Sequence, residues 1–295
     1  MNKFKLALCQ IKTTENKLSN LKKAYNMIRE AVDKGAEVCA LGEMFNCPYN
    51  INLFKSYAES VNDLNDKDRG MDSILSDSKS PSIEFLRRAS QEFNILLVGG
   101  SIPEERNGKI YNTSFIFDKG ELLGTYSKIH MFDINLPSFK HKESDIVQPG
   151  EKMTVLSTRF CKIGVGICYD IRFAEFAMAM RREGAELLIY PSVFAMKTGP
   201  KYFEPFGRTR ALDTQCYIAT PSNARYIENT DYTQSWAHSA LFDPTGHKIN
   251  GLKENEGLIV EDIDLDLLAE NRATFPYTSY QIRDDLYTIS SIKNK

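Results

Sequence analysis

The feature that most constrains this chain is a repeated unit of strand, helix and strand. Residues 5–11 are apolar-rich, and Leu18, Leu21, Ala24, Tyr25, Ile28 and Ala31 then recur at helical spacing. Gly35 ends that helix, as a glycine does where the chain must turn left-handed, and residues 37–41 form the next apolar run. The pattern returns as a strand over 161–168, a helix over 172–182, a stop at Gly184 and a strand over 187–190. The wording repeats as well: Gly35-Ala36-Glu37-Val38 against Gly184-Ala185-Glu186-Leu187. A second match sets Phe115-Ile116-Phe117-Asp118-Lys119-Gly120 against Ala240-Leu241-Phe242-Asp243-Pro244-Thr245-Gly246, each a strand running through a turn into another strand. Residues 83–93 and 95–99 add a further helix and strand. The expectation is an α/β protein of two related halves sharing one core. No low-complexity linker divides it, so residues 1–295 are expected to form a single domain, with the polar stretch 62–79 as a surface loop.

Composition narrows the function classes. Of 295 residues, 42% are hydrophobic, enough for a large core, and 26% are charged with a formal net charge of −2. That balance argues against a chain built to grip nucleic acid or an acidic membrane. Lysines interrupt the apolar N-terminal stretch, which reads as a strand and not a signal peptide, and no apolar run approaches membrane-spanning length. Six cysteines without a C-x-x-C pair fit reduced thiols and a cytoplasmic location. Asn112-Thr113-Ser114 matches a glycosylation sequon by chance. The histidines and cysteines lack metal-ligand spacing, and Gly164-Val165-Gly166 is not followed by the glycine of a dinucleotide loop, so no metal and no cofactor is expected.

Three places can carry chemistry. Gly166-Ile167-Cys168-Tyr169-Asp170 puts Cys168 on a sharp strand-to-helix turn, where unpaired N–H groups favour thiolate and can bind an oxyanion. The alternative is a small cysteine filling space. A nucleophile needs a base. His238 is the best histidine for a Cys–His pair, whereas Glu43, at a strand end beside Met44 and Phe45, serves if burial raises its pKa. Lys128, flanked by apolar and aromatic residues, is either a buried cation with a task or a snorkelling surface side chain.

Together these motifs resemble the nitrilase superfamily of carbon–nitrogen hydrolases. Glu43 lies in Leu41-Gly42-Glu43-Met44-Phe45, Lys128 in Tyr126-Ser127-Lys128-Ile129-His130, and Cys168 in Gly166-Ile167-Cys168-Tyr169-Asp170-Ile171-Arg172-Phe173, in the family's order and separation. The resemblance implies a four-layer α-β-β-α sandwich. It also implies a Glu-Lys-Cys catalytic set with Glu143 as a second glutamate, a thioester intermediate, and a homodimer or larger assembly. Within the family the likeness is nearest to the omega-amidase branch, through Phe45-Asn46-Cys47-Pro48-Tyr49, Lys128-Ile129-His130-Met131-Phe132-Asp133-Ile134 and Thr198-Gly199-Pro200. That branch implies a small-molecule amide substrate, a dicarboxylic acid monoamide such as 2-oxoglutaramate. Arg172 is then the carboxylate clamp, unless it pairs with Asp170 or Glu175, and Tyr49, Phe194, Met196 and Tyr169 are pocket residues. Two departures stand out. Gly42 replaces an expected proline and is expected to loosen the Glu43 loop, and Tyr202-Phe203-Glu204 replaces a His-Trp-Glu-like triplet.

Overall fold

The computed structural model describes residues 2–287 except 64–69, 72, 75–77, 137–138, 227–231, 280 and 284. The chain runs β1 (Lys3–Gln10), α1 (Lys17–Asp33), β2 (Val38–Leu41), α2 (Ile51–Tyr57), α3 (Pro81–Glu92), β3 (Leu96–Val98), β4 (Ile102–Arg106), β5 (Lys109–Asp118) and β6 (Glu121–Ser127). It continues through the hairpin β7 (Asp133–Leu136) and β8 (Phe139–Lys142) to β9 (Thr154–Ser157), β10 (Lys162–Val165), α4 (Ala174–Arg182), β11 (Leu187–Ile189) and α5 (Gly199–Thr214). The last elements are β12 (Tyr217–Thr220), β13 (Ala240–Phe242), β14 (Lys248–Gly251), β15 (Gly257–Asp264) and α6 (Leu265–Thr274).

Strand β1 explains the layering. Side chains alternate across a strand, and here both faces are apolar. Phe4, Leu6 and Leu8 enter one buried cluster, Ala7 and Cys9 another. A strand apolar on both faces needs cover on both. On one side Leu21, Ala24 and Ile28 of α1 and Ile83, Phe85 and Leu86 of α3 pack against Ala7, Cys9, Cys39 and Leu97. On the other, Leu6, Leu8, Val38 and Val98 share a core with Ile163, Val165, Leu187 and Ile189 of a second sheet. Gly164 faces the second helical layer, since a Cβ there would come within 2.9 Å of the Met180 sulfur on α4. Helix α5 covers β12 and β13, so close that Gly207 has no room for a side chain against Phe242. The result is the expected α-β-β-α sandwich.

The two sheets repeat one topology. In the first, β1, β2 and β3 are parallel, β15 flanks β1 antiparallel, and β5 flanks β3 antiparallel, with β4 and β6 on β5. In the second, β10, β11 and β12 are parallel, flanked antiparallel by β9 and β13, with β14 outermost. Gly35 and Gly184, at φ of 89° and 93°, end equivalent helices in the left-handed region that glycine enters without strain. The expected repeat is therefore present in the fold. The helix expected over 172–182 starts instead at Ala174, and a 3-10 turn, Cys168–Arg172, precedes it. Part of the 62–79 stretch, namely 64–69, 72 and 75–77, lies outside the described residues. Within the remainder Ile74 is fully buried, so the stretch is not simply surface loop.

Candidate active site

The site forms where four chain segments end together. β2 stops at Leu41 and delivers Glu43. β6 stops at Ser127 and delivers Lys128. The β7–β8 hairpin leads into the turn Glu143–Asp145, and β10 leads into the turn that Cys168 opens. Glu43, Lys128 and Glu143 are fully buried, and Cys168 is 7% exposed. Cys168 has φ of 49°, left-handed backbone that a side chain with a Cβ adopts under strain. Its N–H holds that geometry by donating to Pro191 O at 2.8 Å.

Lys128 Nζ donates to Glu43 Oε1 at 3.1 Å and to Glu143 Oε1 and Oε2 at 3.1 and 2.9 Å. Glu43 Oε1 also accepts from Asn112 Nδ2 at 2.9 Å, and Oε2 from Val193 N–H at 2.9 Å. The Cys168 thiol is close enough to the Glu43 carboxylate and the Val193 N–H for both to bear on its ionisation. Tyr49 OH donates to Glu143 Oε1 at 3.4 Å, and Phe132 N–H to Glu143 Oε2 at 2.7 Å.

Burial governs the electrostatics. It raises the Glu43 carboxyl above its ordinary 4.5, Lys128 pulls it down, and Glu143 adds to the rise. Burial opposes charge on Lys128 too, yet the Glu143 and Glu43 carboxylates outweigh it and hold the ammonium well above 10.5. Burial and then Glu43 push the Cys168 thiol well above 9.0, against Lys128 and the Val193 N–H. At neutral pH the thiol is thus protonated and the Lys128 ammonium charged.

Asp170 braces the turn. Its Oδ2 accepts Tyr126 OH and Ile167 N–H, both at 2.7 Å, and its Oδ1 accepts His130 N–H at 3.0 Å and faces His130 Nδ1 at 2.7 Å. His130 in turn stacks on Phe173 at 3.6 Å. This ties the turn that Cys168 opens to the strand that leads to Lys128.

A pocket opens on Cys168, lined also by Tyr49, Phe132, Tyr169, Arg172, Val193, Phe194, Ala195 and Thr198. The Arg172 guanidinium sits 4.9–5.6 Å from the rings of Tyr202, Phe206, Tyr169 and Phe194. Arg172 forms no ion pair among the described residues, and its buried Nε has no partner. The pairing with Asp170 or Glu175 considered from sequence is not made. Tyr49, Phe194, Tyr169 and Arg172 all reach the cavity. Met196 does not: it is 37% exposed, with its N–H turned to Gln234 O at 3.2 Å. His238 is not beside the thiol either. It stacks on Trp236 at 4.0 Å and donates its N–H to Lys253 O.

Gly42 corrects another expectation. The loop it begins is clamped, not loose: Ser101 N–H donates to Gly42 O at 3.2 Å, Met44 N–H to Ser101 Oγ at 3.1 Å, and Asn223 Nδ2 to Glu43 O at 2.6 Å. A Cβ at Gly42 would lie 2.9 Å from the Asn223 nitrogen and the Ser222 carbonyl carbon, so glycine is what lets this loop close. Sequence reasoning also missed Asn112, Val193 and Asp170. In the sequence Asn112 stands out only as a chance sequon; fully buried, it is closed to glycosylation in the fold. Among the described residues no helix is long and apolar enough to cross a membrane, and no group of three His, Cys, Asp or Glu residues could hold a metal ion.

Fold and site define one class: residues 5–273 match the carbon–nitrogen hydrolase family, and the chain belongs to it. It is similar to omega-amidase NIT2 of Xenopus tropicalis, 43% identical over 100% of both chains, and to omega-amidase NIT2 of Danio rerio, 41% identical over 99% of each. Among solved structures, Saccharomyces cerevisiae Nit3, a member of branch 10 of the nitrilase superfamily, matches with a TM-score of 0.81. That match has 34% identity and covers 95% of this chain and 96% of the yeast chain.

Proposed function

We propose that this carbon–nitrogen hydrolase is an omega-amidase. It would release ammonia from the terminal amide of a short dicarboxylic acid monoamide, such as 2-oxoglutaramate, through a thioester on Cys168. One observation carries the reading: a pocket lined by the thiol, which adjoins a buried carboxylate–ammonium pair, also holds in its wall a guanidinium with no ion-pair partner among the described residues. The full-length relatives named omega-amidase support it.

In the first stage Glu43 takes the Cys168 proton as sulfur bonds to the amide carbon and the carbonyl π pair moves to oxygen. Because burial keeps the thiol neutral, the base has to act at the moment of attack. Lys128 and the Tyr169 N–H, which has no acceptor within its own turn, stabilise the oxyanion. As the tetrahedral carbon collapses, the C–N bond breaks and Glu43 returns its proton to the leaving nitrogen, giving ammonia. In the second stage Glu43 takes a proton from water, whose oxygen attacks the thioester; the C–S bond breaks and sulfur recovers the proton. One water is consumed, and an acid and ammonia leave. Glu143 holds Lys128 charged and in place. Arg172 binds the far carboxylate as a two-pronged donor, with Tyr49, Phe194 and Tyr169 as walls. No step calls on a cofactor. On the family likeness we further propose a single domain, a cytoplasmic site of action and at least a homodimer.

Ammonia release from 2-oxoglutaramate, deaminated glutathione and an N-carbamoyl amide tests the assignment. The first should be the best substrate, and Cys168→Ala should abolish turnover of all three. Arg172→Met should raise KM for 2-oxoglutaramate about tenfold or more, the loss of one charge-assisted contact, with little effect on an uncharged amide of similar size. Faster turnover of deaminated glutathione would move the protein to a sister activity, and undiminished turnover by Cys168→Ala would remove the mechanism.

A further inference from the structure

Glu43 takes up and gives back a proton twice per turnover in the reaction above, and its two oxygens are not equivalent. Oε1 accepts from Asn112 Nδ2 at 2.9 Å and from Lys128 Nζ at 3.1 Å. An amide NH2 and an ammonium only donate, so both approaches to Oε1 are occupied by groups that cannot accept a proton from it. Oε2 accepts from the Val193 N–H at 2.9 Å and keeps a lone pair. We propose that Asn112 is a positioning residue for this reaction: it fixes Oε1 of Glu43 as a permanent acceptor and so leaves Oε2 as the one oxygen that shuttles the proton.

Three observations support the assignment. Asn112 is fully buried on β5, and its main-chain carbonyl accepts the Lys128 N–H at 2.9 Å, so it sits in register with the cation of the site. Its side chain is oriented by chemistry: turned the other way, its carbonyl oxygen would face the Glu43 carboxylate, two acceptors in contact. Its Oδ1 is buried with no hydrogen-bond partner. An apolar residue of this shape would avoid that desolvation cost, so packing alone does not account for an amide here. The groups facing Glu43 are Lys128, Glu143, Cys168, Asn112 and the Val193 N–H. Asn112 carries no charge, so replacing it with an apolar residue leaves the site's formal charge intact.

The inference rests on Glu43 being the base, and the experiment separates the two claims. Asn112→Leu, Asn112→Ala and Asn112→Asp are compared with Glu43→Gln in the full-length protein, with kcat, KM and the pH profile measured for each and folding checked by circular dichroism. For Asn112→Leu and Asn112→Ala, kcat should fall roughly tenfold to a hundredfold, part of the usual worth of a positioned base, while KM changes less than about threefold. Asn112→Asp, close to the native shape, should move the acid limb of kcat/KM to higher pH, because two carboxyls in contact share a proton. Wild-type kcat and pH profile in any folded Asn112 variant would overturn the inference and leave Glu43 as the base. Full activity in Glu43→Gln would overturn the base assignment itself. If the apolar variants do not fold, the pH profile of Asn112→Asp decides alone.

Discussion

Glu43 holds two opposed influences, burial and the neighbouring ammonium, and their balance sets how activity depends on pH. Its carboxyl lies above 4.5, so the basic form is lost on acidification sooner than for an exposed glutamate. The acid limb of kcat/KM should therefore have its midpoint above pH 4.5. A midpoint at or below that value would exclude Glu43 as the titrating base. Stability runs the other way. A pKa raised by folding means the native state binds that proton more tightly, so Glu43 favours the fold most below pH 4.5 and less as pH rises through its folded value. Lys128, raised above 10.5, contributes fully below 10.5 and loses that contribution only above its folded pKa. Mild acid should thus stop turnover without unfolding caused by this pair, which far-ultraviolet circular dichroism at the same pH would verify. Glu43, Lys128 and Cys168 were legible in the sequence because each sits in a short motif at an element end. Val193 was not, because it acts through a main-chain N–H that any residue supplies. Nor was Asn112, whose role depends on pairing with Ser127-Lys128 across the sheet.

The five-residue turn Cys168–Arg172 is too short to stabilise itself, and the element holds its shape through Asp170. Asp170→Ala would strip acceptors from the Tyr126 hydroxyl and the Ile167 and His130 N–H groups around a fully buried position. The expected cost is about 3 kcal/mol in urea unfolding, from buried donors left without partners, with a lower kcat because the left-handed Cys168 backbone loses its brace. A change under about 1 kcal/mol would mean that the Pro191 contact alone maintains the turn. At this scale the long strands and helices were readable from apolar periodicity and from Gly35 and Gly184. The turn at Cys168 was readable too, but its last residue, Arg172, was read into the following helix, since Arg172 to Arg182 carries helical spacing that hides the break at Phe173. Met196 was misplaced for a related reason: an apolar residue beside Phe194 and Ala195 looks like pocket wall until the chain's course shows its N–H bonded to Gln234.

For the whole molecule, the two halves are joined most tightly by strands from opposite ends of the chain. β15 pairs antiparallel with β1 from Lys3↔Asp264 to Gln10↔Gly257, and Ile259 and Ile263 enter the core between the sheets. A chain ending at residue 256 would bare the edge of β1 and part of that core. It should lose cooperative urea unfolding and bind a hydrophobic dye, whereas a truncation that kept both would show that the remaining layers suffice. The same pairing orders events during synthesis. While the ribosome is still making the second half, β1 waits with an open row of N–H and C=O groups, and its partner emerges among the last strands. A nascent chain of this kind is exposed to mispairing with neighbours on the same message until β15 has been made.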